Sequence, residues 1–175
     1  MMNKIIKFSL LIVFVLTSTI SNAQLNKRKK SKKDTHNFRY EIECVDTGSK
    51  GTVSIKVFSY SKKPTIAIEA AKRNAVHAII FKGFPKAGKC QRKDPLARNP
   101  NLEQEHKEFF KEFFEDGGKY LKFVNASTDG AIEGGDVSKI SKREYKIGIN
   151  VSVNRTLLEK DLISAKIIEG LGSRF

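Results

Sequence analysis

Tyr145-Lys146-Ile147-Gly148-Ile149-Asn150-Val151-Ser152-Val153 sets an apolar residue at every odd position and a small or polar one between. A side-chain period of two belongs to a strand with one buried face. Upstream, Thr52–Tyr60 repeats the pattern, with Val53, Ile55 and Val57 alternating with Ser54 and Lys56. Phe38–Val45 places Tyr40, Ile42 and Cys44 on one face, and Asp46-Thr47-Gly48-Ser49-Lys50-Gly51 between these two runs is turn material. Tyr120–Asn125 and Val137–Arg143 read as further strands.

The helical segments have a different period. Thr65–Phe81 carries Ala67, Ala70, Ala71, Ala75 and Ala78 at helical spacing, a small face that lets the backbone approach a sheet closely. Asn99-Pro100 resembles an N-cap followed by proline, opening a helix to about Glu115 with Leu102, Phe109, Phe110, Phe113 and Phe114 on one stripe. Gly117-Gly118 would end it. Asn154 is placed to cap a last helix that runs to about Glu169 and stops at Gly170. Strands and helices do not alternate strictly. The expected fold is therefore α+β, a mainly antiparallel sheet of four to five strands against two to three helices, in a single domain over residues 38–170.

Outside that domain the chain changes character. Lys4 and Lys7 precede the apolar run Phe8–Thr17, and Ser21-Asn22-Ala23 offers small residues at a cleavage site, so residues 1–23 read as a secretory signal peptide. The run is shorter than the roughly 20 residues a spanning helix needs, which weighs against an uncleaved anchor. Gln24 rather than cysteine at the cleavage point weighs against lipid attachment. The expected address is exported, periplasmic or secreted, with no transmembrane segment after cleavage.

Cleavage lowers the formal charge from +14 to +12, because only Lys4 and Lys7 leave. Residues 24–37 follow as a basic arm holding Lys27, Arg28, Lys29, Lys30, Lys32 and Lys33. A block of this kind repels itself and is expected to be disordered. It reads either as an arm that seeks anionic surfaces or as a solubilising spacer. A second basic stretch, Gly83 to Arg98, carries Lys86, Lys89, Arg92, Lys93 and Arg98, with Lys82 just before it. A long connection of that type is often functional or mobile.

Cys44 and Cys90 are the only thiols. In an oxidising compartment they are expected to pair, the alternative being two separate thiols. A bridge would close a loop of about 47 residues and stabilise by roughly 4 kcal/mol in the chain-entropy treatment.

The helix Ile68-Glu69-Ala70-Ala71-Lys72-Arg73-Asn74-Ala75-Val76-His77-Ala78 is similar to the alanine-rich helix of small bacterial envelope domains. These occur in outer-membrane lipoproteins and in the N-terminal region of flagellar assembly protein T. Gly130-Ala131-Ile132 through Lys146-Ile147-Gly148-Ile149-Asn150-Val151-Ser152-Val153 resembles their later hairpin and strand. The resemblance covers residues 38–165 in order of elements and implies an envelope assembly or scaffolding module without catalysis. The chain departs from it by lacking a lipid-bearing cysteine and by inserting the Gly83–Arg98 loop.

Catalytic patterns are few. The histidines His36, His77 and His106 include no pair at the spacing of a helical metal site. Glu103, Glu105, Glu108, Glu112 and Glu115, beside Lys107 and Lys111, have the offsets of a solvated helix face. Gly134-Gly135-Asp136 lacks the lysine of a phosphate loop, and no nucleophile elbow occurs. No cofactor or metal is implied, and nucleic acid is not an expected partner, because the basic arm holds no interleaved aromatics. The expectation is a non-catalytic exported binding or assembly module that meets an envelope protein or anionic surface through the arm and loop cations. The alternatives are a small periplasmic enzyme centred on His77 or the helix glutamates, and a self-assembling subunit.

Overall fold

A computed structural model describes residues 38–46, 48, 51–62, 64–88, 90–126, 136–142 and 144–170. The chain divides into two units, 1–37 and 38–175. The signal peptide, the arm with Lys27, Arg28, Lys29, Lys30, Lys32 and Lys33, and also Lys89 lie outside the described residues.

The fold is α+β with an antiparallel sheet. Strand β1 (Tyr40–Asp46) pairs with β2 (Thr52–Ser61), and β2 pairs along its length with β5 (Glu144–Asn154). The other edge of β5 takes two short strands: β3 (Val124–Ala126) beside Val151–Val153, and β4 (Val137–Ser141) beside Glu144–Ile147. The alternation read in the sequence sets the register. Val53 lies opposite Val153, Ile55 opposite Val151 and Val57 opposite Ile149, and all six are buried on one face.

Helix α1 (Pro64–Phe81) lies on that face. Ala67, Ala71, Ala75 and Ala78 are fully buried, so the small stripe does lie in the core. Asn74, on the same side of the helix, donates from Nδ2 to Ser59 Oγ of β2 at 3.0 Å. The opposite side of α1 is covered by Phe110, Phe113, Phe114, Tyr120 and Phe123, which stack edge-to-face and offset on one another.

Four local expectations change. The helix expected up to Glu115 is two segments, α2 (Leu102–Glu105) and α3 (Lys107–Phe113), broken at His106 with φ −112° and ψ 37°. Asn99 does cap a proline-started turn, its Oδ1 accepting from the Asn101 amide at 2.9 Å and its carbonyl from Leu102 N at 3.2 Å, but that turn precedes the helix, which begins only at Leu102. Lys119–Phe123 is a 3₁₀ turn rather than the start of a strand, since burying both Tyr120 and Phe123 requires a period of three. The last helix, α4 (Arg155–Ser164), begins as expected with Asn154 Oδ1 accepting from the Leu157 amide at 2.9 Å, but it stops before Glu169. Lys166, at φ 58°, closes it: the Ile167 amide donates to Leu162 O and the Lys166 amide to Ile163 O, each at 2.9 Å, with Ile167 buried.

Cys44 and Cys90 form a disulfide with Cα atoms 6.1 Å apart. Among the described residues no helix is long and apolar enough to cross a membrane. Closing a separation of 46 residues constrains the unfolded chain, so reduction, or the C44S/C90S pair, is expected to lower stability by about 2–4 kcal/mol. Urea unfolding of oxidised and reduced protein checks this. An unchanged midpoint would mean that the bridge constrains nothing the rest of the fold has not already fixed.

Candidate functional site

The connection after α1 is ordered by its backbone. Phe84 N donates to Lys93 O at 2.9 Å and Lys93 N to Phe84 O at 3.1 Å, while Ala87 and Cys90 exchange bonds of 3.2 and 2.8 Å. Residues 84–93 thus form a narrow antiparallel hairpin. Leu96 N and Ala97 N then donate to Ile79 O and Ile80 O, satisfying carbonyls at the end of α1. Gly83 makes the reversal possible. Its φ is +63°, and a Cβ there would sit 2.3 Å from Lys93 O, so any side chain would collide with backbone. The disulfide fixes the hairpin covalently to β1.

Between β1 and this hairpin runs an open groove of about 630 Å³. Ile42, Phe84, Pro85 and Pro95 supply its apolar lining. Lys82, Lys86, Arg92 and Lys93 supply its charge, so four of the loop cations singled out in the sequence come together. The one acid there, Asp94, pairs with Arg92 at 3.0 Å, both side chains being about three-quarters exposed (77% and 74%). Lys82 Nζ lies 3.9 Å from the centroid of the Tyr40 ring. Lys86 and Lys93 make no ion pair among the described residues. Arg98 is separate and lines a smaller cleft of about 290 Å³ with Leu96, Leu102 and Ile167.

The second constellation is buried; the sequence singled out His77 and the helix glutamates but not their meeting with Tyr40. His77 is 6% exposed, stacked on Phe38 at 3.8 Å between centroids and tilted against Phe81 and Phe114. Its Nδ1 shares a 2.7 Å hydrogen bond with Tyr40 Oη, and Nε2 faces Glu103 Oε1 at 3.5 Å. With a carboxylate opposite Nε2, the favoured tautomer is protonated there, and Nδ1 accepts from the Tyr40 hydroxyl. Burial, and then the charge of Lys82, lowers the His77 pKa to about 3, so the ring is neutral at ordinary pH and the Glu103 contact is not an ion pair. Burial raises the Tyr40 pKa, with Glu103 adding to the effect, and burial raises that of Glu103. His77 and Glu103 do not line the groove. His106 sits apart, at the break between α2 and α3.

Arg73, one helical turn before His77, is likewise buried, and its Nη2 donates to Asp116 Oδ1 at 2.8 Å beneath the Tyr120 ring. Arg73 carried no sequence signal beyond its place on the alanine helix. No family model, curated protein or solved structure matches the chain.

The buried imidazole makes stability depend on pH. Unfolded, His77 takes a proton near its ordinary value of 6.5; folded, only near 3. Between those values the unfolded chain binds more protons. Stability therefore falls on acidification through this window, by up to about 1.4 kcal/mol per pH unit from this group, and is flat above it. Glu103, its pKa displaced upward by burial, opposes the trend. Urea unfolding from pH 7 to 4 should show the decline and H77F should flatten it. Equal slopes in both proteins would remove His77 as the cause.

Proposed function

We propose that the protein is an exported, non-catalytic binding module of the cell envelope. Its working face is the groove between β1 and the 84–93 hairpin, and the arm from Lys27 to Lys33 adds a second, salt-sensitive hold on anionic surfaces. The observation that carries this reading is the gathering of Lys82, Lys86, Arg92 and Lys93 around an apolar lining, with Asp94 as the single acid. Clefts walled by one sign of charge concentrate oppositely charged ligands. The hairpin that bears the cations is held by a disulfide, which suits an oxidising compartment and keeps the groove pre-formed.

The cluster of Tyr40, His77 and Glu103 is read as structural rather than catalytic. A general base must reach a substrate proton, and His77 is enclosed by Phe38, Phe81 and Phe114.

The salt concentration that elutes the protein from a polyglutamate resin tests the reading. Neutralising the six arm cations to glutamine should lower it, and so should K86E/K93E in the groove. K107E/K111E, on the exposed side of α3, changes charge equally and should lower it less. Equal losses from the groove and α3 pairs would mean that net charge alone binds the resin and that the groove is no site.

A further inference from the structure

We propose that the groove binds an extended acidic polypeptide segment, which pairs its backbone with the free edge of β1. The inference rests on the reading of the groove as the working face and specifies the ligand.

Strand β1 hydrogen-bonds to β2 on one side, and among the described residues no strand pairs with its other edge. An open edge presents alternate N–H and C=O groups to any chain that approaches in extended form. Some of the usual devices that blunt an edge are present, in the charges of Glu41, Glu43 and Asp46, and others are missing. Tyr40–Asp46 holds neither proline nor lysine, and its one irregularity lies at the far end, between Cys44 and Asp46. Seven residues at about 3.3 Å each offer a ladder of about 23 Å.

The groove lies on the side of that edge where added side chains would fall. Ile42, in the middle of β1, belongs to the groove lining, and the hairpin forms the facing wall. Side chains of an added strand point alternately to the two faces of the sheet. Those on the helix-bearing side would enter the groove, with aliphatic stems against Ile42 and Pro95 and carboxylates at Lys86, Arg92 and Lys93. Those on the other side would meet Glu41 and Glu43. Glu41 is already held by Lys146 and Tyr60, and Glu43 is exposed. With Lys146 already engaged by Glu41, that face offers further acid less than the groove does. The geometry thus selects a pattern and not only a charge: an acid at every second residue, with neutral residues between.

A flat anionic layer fits less well. A planar lipid surface would touch the rim formed by Lys86, Arg92 and Lys93 and would not reach Ile42 between β1 and the hairpin. A polysaccharide chain lacks the repeat that matches a strand ladder.

The probe is a fluorescent peptide of alternating threonine and glutamate, titrated by anisotropy against the full chain as recovered from the producing cells. The comparison peptide has the same composition with its glutamates in one block, and a third peptide is N-methylated at alternate amides, which blocks strand pairing without changing charge. The alternating peptide should bind at least about tenfold more tightly than either, and K86E/K93E should weaken it by a similar factor. Thermal unfolding of that variant confirms that these two exposed side chains leave the fold intact. If the methylated peptide binds equally, the groove is a charge trap: the binding-module reading stands and the edge-pairing inference falls. If K107E/K111E weakens binding as much as K86E/K93E, both fall. Stronger partition to phosphatidylglycerol vesicles at equal charge overturns the inference in favour of lipid. A peptide-excluding dimer, detected by light scattering, overturns it in favour of a second copy of this chain at the edge.

Discussion

The close seating of α1 on the sheet is the constraint on which the rest depends. Ala67, Ala71, Ala75 and Ala78 give the helix a side with almost no projection, and the facing strands answer with Val53, Ile55, Val57, Ile149 and Val151. Small residues bring the backbone close, and the alanine seam runs to within one turn of the C-terminal end, where Ala78 is fully buried. The C-terminal end then dictates the path of the chain beyond it. Gly83 turns the chain, Leu96 and Ala97 occupy the last carbonyls, and the intervening residues have room only for a tight hairpin. The position of the groove beside β1 is set by where that helix stops.

An alanine seam alone specifies orientation poorly, because alanines are interchangeable. The polar residues of α1 supply what it lacks. Asn74 reaches Ser59 in the sheet, His77 reaches Tyr40 of β1, and Arg73 reaches Asp116 beyond α3. The Asn74 and His77 bonds exist in one register of helix on sheet, and a shift would leave Asn74 Nδ2 and the Tyr40 hydroxyl unpaired, a penalty of about 1–3 kcal/mol per group. The same bonds add little to net stability, since each requires desolvating a polar or charged side chain. Their contribution is to uniqueness, and His77 additionally links the helix to the strand that forms one wall of the groove.

How much of the fold was legible in the sequence depends on how unambiguous each pattern is. Val53–Val57 and Tyr145–Val153 alternate without interruption, so strand and buried face are both readable. The spacing of the alanines identifies α1 in the same way. Tyr120, Leu121, Phe123 and Val124 are apolar at both parities, which fits a strand and a 3₁₀ turn equally, and only the burial of Tyr120 with Phe123 decides it. The break at His106 has no proline or glycine to announce it, and Lys166 ends α4 in a conformation better suited to the glycine at 170. The loop cations were visible as a set, but their convergence was not. It depends on the Cys44–Cys90 bridge, which the two thiols did suggest, and on hydrogen bonds to α1 carbonyls, which leave no local pattern.

The concentration of cations at this end of α1 has a structural explanation that must be weighed against the functional one. Helix C-termini carry partial negative charge, and a nearby lysine gains about 0.3–1 kcal/mol when exposed, within the last turn only. Lys82 lies just beyond that turn, its amide donating to Ala78 O at 2.9 Å, so it gains at most part of that energy, and it also lies over the Tyr40 ring. Lys86, Arg92 and Lys93 stand on the hairpin, outside that last turn, and like charges gathered in one cleft repel. The helix end also has its final carbonyls occupied by Leu96 and Ala97, which weakens its hold on distant cations. The dipole therefore accounts for at most one lysine among the four cations. Arg92 has Asp94 as its partner. Lys86 and Lys93, which make no ion pair among the described residues, are an arrangement the fold tolerates rather than requires, and a ligand with the opposite charge is the interaction that would make it favourable.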